Sequence, residues 1–239
     1  MPKSRRKSEY HAKYPYPRYQ FRRGFLRGGI RFLAWLLLNY ETEGIENLPK
    51  EGPLLIVGNH FHFLDTISPI HVTNYPLEFI NDAKMPMAPG IVKFLPGWWG
   101  TLKITQGQAN IEAIRAAESI LEQNGVLAIM PEGHVHKPPL GKPLPGAAFL
   151  ALRLGVPILP IGAYSEDDWD VGSIIKKGRR ARVVSRIGKP FGPLAPKDPD
   201  CVPGREDVKR AGQEIMERIA ELLPESARGP YLKDAAPGL

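Results

Sequence analysis

Apolar residues in this chain come in short runs divided by glycine, proline and charge, and their period changes along the sequence. Residues 53–57, PLLIV, form a continuous apolar run behind a Gly-Pro break, which predicts a buried strand. Residues 77–80, 101–105, 126–130, 156–161 and 181–187 predict further strands. Between them the period lengthens, predicting helices over 64–72, 109–123, 146–154 and 206–223. In the second of these, Ile111, Ile114, Ala117, Ile120 and Leu121 share one face, and Asn124-Gly125 supplies the stop. The last buries Val208, Ala211, Ile215, Ile219 and Leu222. Strands alternating with helices predict an α/β fold: one domain with a mainly parallel central sheet flanked by helices.

The N-terminal segment follows a different pattern. Residues 1–20 are basic and aromatic with no visible period, and predict a mobile arm. A helical pattern over 21–40 places Arg23, Arg27 and Arg31 on one stripe and Phe25, Leu26, Ile30 and Leu33 largely on the other side. Spanning a bilayer takes about 20 apolar residues, and here only residues 32–40 are free of charge. The pattern predicts an amphipathic membrane-associating helix that lies on a leaflet or dips into it. No small-residue cleavage site follows Leu38, so a removable leader is not expected. The predicted divisions are 1–40, basic arm and helix; 41–225, the α/β domain; and 226–239, a C-terminal tail.

Charge sharpens this division. The net charge is +7, yet residues 1–31 hold ten Lys or Arg against the single acid Glu9, so the remainder is slightly acidic. A segmental excess of cations points to an anionic membrane surface as partner. No nucleic-acid reading module accompanies it, so no nucleic-acid partner is expected. A second basic run, residues 176–189, carries seven bases and no acid around a predicted strand, the pattern of a solvated sheet edge or of an anion site. The lone cysteine, Cys201, excludes an internal disulfide.

Candidate chemistry gathers where the first strand stops. Gly58 and Asn59 are turn formers that deliver His60 just past a strand end, with Asp65 five residues on. Loops at strand ends of α/β sheets collect ligands and catalytic groups. A neutral imidazole accepts a proton near pH 7, and a carboxylate on its other nitrogen would fix the tautomer, so the pair suits activation of a hydroxyl. Five residues on a helix turn through about 140°, so His60 must sit in the turn and Asp65 in the first helical turn. Residues 84–100, rich in Met, Pro, Gly and Trp, predict a pliable apolar wall or a packed connector.

Four landmarks stand in order: NHFHFLD at 59–65, GTLKITQG at 100–107, MPEGH at 130–134 and GKPLPGAAFLALRLGVPILPI at 141–161. This set resembles the glycerophospholipid acyltransferase family, whose bacterial members include 1-acyl-glycerol-3-phosphate acyltransferases, over roughly residues 41–191. The resemblance implies that His60 is the general base, that Asp65 orients it, and that the acceptor hydroxyl attacks the thioester of an acyl-CoA or acyl-carrier-protein co-substrate. It implies no cofactor and no metal, a membrane lipid acceptor, and a peripheral or monotopic place at the cytoplasmic face of a membrane. Glu132 and Gly133 match the motif that shapes the acceptor site, and Glu132 also suits a structural carboxylate that accepts nearby backbone N–H groups.

The chain also departs from the family pattern. Gln106 stands where the family has a strand-end arginine, and His134, Val135 and His136 replace Thr-Arg-Ser. Those arginines are the residues expected to hold an acceptor phosphate. Either other cations, such as Lys137, Lys103, His134 or the 176–189 run, take over, or the acceptor lacks a phosphate there; the sequence leaves both open. Two further readings compete: a metal-dependent hydrolase using His60, His62, His134 and His136, and a non-catalytic lipid-binding relative.

Overall fold

The computed structural model describes residues 9–82, 94–104, 111–198 and 201–231. The N-terminal helix α1 (Gln20–Leu37) leads into strand β1 (Leu38–Glu43), and β2 (Leu54–Gly58) runs into α2 (Phe63–Val72). Then come β3 (Glu78–Asp82), the short α3 (Leu95–Trp99), β4 (Leu102–Ile104), α4 (Ile111–Glu122) and β5 (Val126–Ile129). The chain closes with α5 (Pro145–Leu154), β6 (Ile158–Ser165), α6 (Val171–Lys176), β7 (Ala181–Ile187) and α7 (Arg205–Ala220).

The seven strands form one sheet in the order β1-β7-β6-β2-β5-β3-β4. All neighbours pair in parallel except β6 and β7, so β7 and β1 run opposite to the other five. This is the mainly parallel α/β architecture the alternating pattern predicts. Leu54, Leu55, Ile56 and Val57 of β2 are at most 1% exposed, as a central strand covered on both faces requires. One face carries α4, α5 and α7, with Ile120, Leu150, Ile215 and Ile219 in its core; the other packs Ile70, Leu77, Phe79 and Trp99 against Ile56 and Leu159.

The N-terminal segment differs from its sequence reading. Helix ends at Leu37, and residues 38–43 extend as an edge strand paired with β7, because the ladder Leu38↔Ala181 to Glu43↔Arg186 satisfies their backbone. Residues 9–19 are docked: Tyr14 donates to Glu112 at 2.8 Å, the Tyr16 N–H to Gln123 at 3.1 Å, and the Val126 N–H to the Tyr16 hydroxyl at 3.2 Å. The arginine stripe of α1 faces the domain. Arg23, 2% exposed, makes a two-pronged ion pair with the fully buried Glu78 at 2.6 and 2.8 Å, and its Nε donates to the Trp99 carbonyl at 2.9 Å. Arg18 joins the same carboxylate at 3.1 and 2.5 Å. Arg27 donates to the Tyr75 carbonyl, and Arg31 caps the end of α2 through the His71 and Thr73 carbonyls at 3.0 and 2.9 Å. Leu26 and Ile30 of the expected apolar stripe turn inward with these arginines and pack on the domain, and a different apolar face points out: Phe21 is 93% exposed, Phe25 80% and Trp35 66%. Among the described residues, no helix is long and apolar enough to cross a membrane.

Candidate active site

The end of β2 fixes the site. A Cβ on Gly58 would come within 2.8 Å of the Ile161 carbonyl, so only glycine lets β2 and β6 pair up to the last residue before the turn. Asn59 follows, buried, and closes that turn from the side: its amide donates to the Ala163 carbonyl at 2.8 Å and its Oδ1 accepts the Ala163 N–H at 2.8 Å. The residue reads as a turn former in sequence, but it also sews the turn to the neighbouring strand.

Asp65 sits at the third position of α2 and completes a capping box with His62. Its Oδ2 accepts from the Phe61 N–H at 2.6 Å, the His62 N–H at 2.8 Å and the Asn59 amide at 3.2 Å. Burial, reinforced by the nearby Glu132 carboxylate, pushes the Asp65 carboxyl up to about 8, against the two backbone donors. Because all three donors converge on one oxygen, either protonation state keeps the turn closed: Oδ1 can carry the proton while Oδ2 accepts.

His60 is 8% exposed, and no hydrogen bond joins its ring to Asp65. Nδ1 is buried without a partner. Burial lowers the ring's pKa to about 4, opposed by the His62 backbone and helped by the neighbouring His136, His134 and His62 rings, so the imidazole is neutral at pH 7. Its backbone is held from a second side: the His60 N–H donates to Glu132 Oε2 at 2.8 Å, and the His60 carbonyl accepts the His136 N–H at 3.1 Å.

Glu132, 1% exposed, arrives from the end of β5. Its other oxygen accepts the Gly141 N–H at 2.7 Å and meets His136 Nε2 at 2.6 Å. One carboxylate therefore ties the His60 turn to the 136–141 loop, which is the structural-carboxylate arrangement. Gly133 turns the chain at φ +73, a conformation that suits glycine. His134 and Lys137 are exposed; the Lys137 ammonium lies 4.7 Å above the Trp169 ring, and the His134 and His136 rings are 5.4 Å apart. Gln106 and the Lys103 side chain lie outside the described residues, as do residues 84–93 of the apolar segment.

Beside the turn, on its β6 side, opens a cleft of about 190 Å3. Phe61, Leu64, Pro138, Tyr164, Trp169 and Val183 form its apolar walls, and His62, Asp65, Ser165 and Ser226 its polar ones. Sequence reasoning missed Tyr164 and Trp169, since a lone aromatic at the end of a strand or in the loop beyond it gives no periodic signal. The four histidines of the metal reading lie near one another but do not form a ligand set. Among the described residues no three His, Cys, Asp or Glu side chains meet as a metal site would require; His62 instead caps α2, its Nδ1 accepting the Leu64 N–H at 3.3 Å.

An α/β domain carrying a buried neutral histidine on the turn after a central parallel strand belongs to the class that places its chemistry at the carboxyl ends of strands. Residues 39–164 match the model of the Acyltransferase family, and the chain belongs to that family. It is similar to the 1-acyl-sn-glycerol-3-phosphate acyltransferase of Borreliella burgdorferi, 26% identical over 158 residues that cover 63% of this chain and 61% of that protein. The chain thus spans about three fifths of this curated relative. Its fold resembles the crystal structure of PlsC, the 1-acyl-sn-glycerophosphate acyltransferase from Thermotoga maritima, with a TM-score of 0.55 over 81% of this chain and 77% of that one, at 22% identity.

Proposed function

We propose that this protein transfers a fatty acyl group from a thioester to the hydroxyl of a glycerophosphate-like lipid acceptor. The observation that carries the reading is His60: a buried, neutral imidazole with an unpartnered ring nitrogen, clamped at a strand end in a chain of the Acyltransferase family. A buried polar atom without a partner costs about 1–3 kcal/mol, and at His60 that atom belongs to a ring able to take a proton. In the proposed reaction the acceptor oxygen attacks the thioester carbonyl carbon and the new C–O bond forms as the C–S bond breaks. His60 takes the hydroxyl proton and returns it to the departing thiolate. Asp65 and Glu132 act as positioning residues: Asp65 holds the turn through the Phe61 and His62 amides, and Glu132 holds His60 itself.

The cleft beside the turn suits the apolar part of a lipid substrate, with Phe61 next to the reacting residue in sequence. Lys137, a cation exposed on the loop after Glu132, and the exposed His134 beside it would meet an anionic headgroup where the family motif has arginine. The outward apolar stripe of α1 supports a peripheral place on a membrane. The donor is an acyl-CoA or an acyl-carrier protein, and no bound cofactor is required.

The test is thiol release from acyl-CoA by the detergent-dispersed protein with lysophosphatidate and with a panel of phosphate-free lysolipids. Release that requires lysophosphatidate supports this acceptor. Release only with phosphate-free acceptors contradicts it and means that Val135 and Gln106 mark a changed headgroup.

A further inference from the structure

Three arginines of α1 are committed to docking, while Arg22 stays exposed over the Tyr19 ring at 4.1 Å. Arg23 is buried on Glu78, Arg27 reaches the Asn74 and Tyr75 carbonyls, and Arg31 caps α2. At about 100° per residue, Phe21, Phe25, Phe32, Trp35 and Leu36 fall within an arc of roughly 100° on the opposite side, and all five are at least half exposed. An interfacial helix usually supplies both the apolar face and the cations that draw it to anionic lipid. Here, Arg22 apart, the helix keeps only the apolar half at the surface.

The second half comes from a segment far away in sequence. Arg180 donates to the Trp35 carbonyl at 2.6 Å and to the Leu38 carbonyl at 3.1 Å, so the basic run is fastened to the C-terminal end of α1. Ala34 and Leu38 pack with Val171, Ile174 and Ala181 in one apolar cluster beneath this junction. Around Arg180, Lys176, Lys177 and Arg179 are exposed and make no ion pair with any described residue. The nearby acids have partners of their own: Glu166 pairs with Arg182 at 3.0 Å, Asp167 accepts the Arg182 N–H at 2.8 Å, Asp168 accepts the Asp170 N–H at 3.2 Å, and Asp170 caps α6.

Register places this junction at the working end of the sheet. Ser165, the last residue of β6, pairs with Val183 near the start of β7, and Leu38 pairs with Ala181. The carboxyl end of β6 is also the end of β2 at which His60 stands, through Gly58↔Ile161.

We propose that the outward stripe of α1 and the cations Lys176, Lys177 and Arg179 form one footprint for an anionic lipid bilayer, with the stripe inserted among the acyl chains and the three cations on the headgroups. This deepens the membrane reading above and rests on it. The footprint abuts the end of the sheet that carries His60 and the cleft, so a lipid acceptor would reach the site without leaving the surface. Charge complementarity selects this occupant over a second copy of the chain, whose matching face would bring the same cations together.

Flotation of the full chain with phosphatidylcholine vesicles, with and without phosphatidylglycerol, tests the footprint in the absence of turnover. Wild type should bind the phosphatidylglycerol vesicles at least about tenfold more strongly, with an advantage that fades as salt rises. The triple change Lys176→Ala, Lys177→Ala, Arg179→Ala should erase that advantage while leaving acyl transfer to a detergent-dispersed acceptor unchanged. Phe25→Ser with Trp35→Ser should abolish binding to both vesicles. Undiminished phosphatidylglycerol binding by the triple variant overturns the assignment of the run. A wild-type chain that ignores both vesicles, or buries the stripe in a dimer by light scattering, overturns the footprint. Transfer in detergent is read separately, so its loss sinks the acyltransferase reading and not the footprint.

Discussion

Glu132 holds His60 by its backbone: Oε2 accepts the His60 N–H at 2.8 Å, while the other oxygen accepts Gly141 and meets His136. The histidine is thus aimed by a carboxylate that arrives from another strand. Glu132→Gln keeps one acceptor oxygen and turns an amide NH2 toward an N–H donor. The variant should fall about 10²-fold in kcat with a smaller change in acceptor KM, and hydrogen exchange in peptides covering His60 and Gly141 should speed up. Unchanged exchange together with a raised KM alone would mean that Glu132 contacts the acceptor instead.

Asp65 makes a different kind of contact from the His-Asp pair that its spacing suggests. All three of its donors converge on Oδ2, and two of them are backbone N–H groups of the turn. Asp65→Asn retains an oxygen for those donors, so it should fold normally and keep activity within about tenfold of wild type. Asp65→Ala leaves the Phe61 and His62 amides unpaired, and should lose about 1–3 kcal/mol of stability along with most activity. A loss near 10⁴-fold in Asp65→Asn, the size seen when a triad carboxylate is neutralised, would show that its charge acts on the imidazole and would contradict the turn-clamp account.

The pH dependence follows from burial. His60 is held near a pKa of about 4, below its ordinary value of 6.5. It should therefore stay competent as a base well below pH 6, and kcat/KM should show no His limb at pH 6–7. The sign for stability is equally definite. The folded imidazole binds fewer protons than the unfolded one between about pH 4 and 6.5, so its contribution is present above pH 6.5 and is lost as pH falls through that window. Asp65, raised to about 8, has the opposite sign: its contribution is greatest below the unfolded carboxyl value and fades as pH rises toward 8. Thermal melts of wild type and His60→Gln from pH 4 to 7 isolate the first term, since the variant should lack that slope.

The docking of α1 rests on Glu78. Two arginines, Arg18 and Arg23, converge on this fully buried carboxylate. Glu78→Gln leaves two cations without a counter-charge at a buried site and should cost about 3–5 kcal/mol, roughly 10 °C or more in Tm at this chain length. A melt within about 2 °C of wild type would show that α1 is held by its other contacts.

The order of strands and helices is legible in the sequence because the central strands β2, β5 and the first half of β6 read as unbroken apolar runs, and Asn124-Gly125 stops α4 where expected. The site is legible as residues but not as contacts. His60, Asp65 and Glu132 stand out by type and position, yet their hydrogen bonds depend on the closure of a turn and on a partner 72 residues away, which no local pattern encodes. The same limit left open which side of α1 docks. A stripe of arginines beside an apolar stripe has the same periodicity whichever side faces in, and a buried acid at position 78 decided it. Strand β1 was hidden because LLNYE suits a helix until β7 offers a ladder.

The most direct test of the account is acceptor-dependent thiol release from acyl-CoA by wild type and His60→Ala, with circular dichroism confirming that both are folded. The account predicts a fall of about 10³-fold or more in the variant. A folded His60→Ala protein that releases thiol as fast as wild type would contradict it.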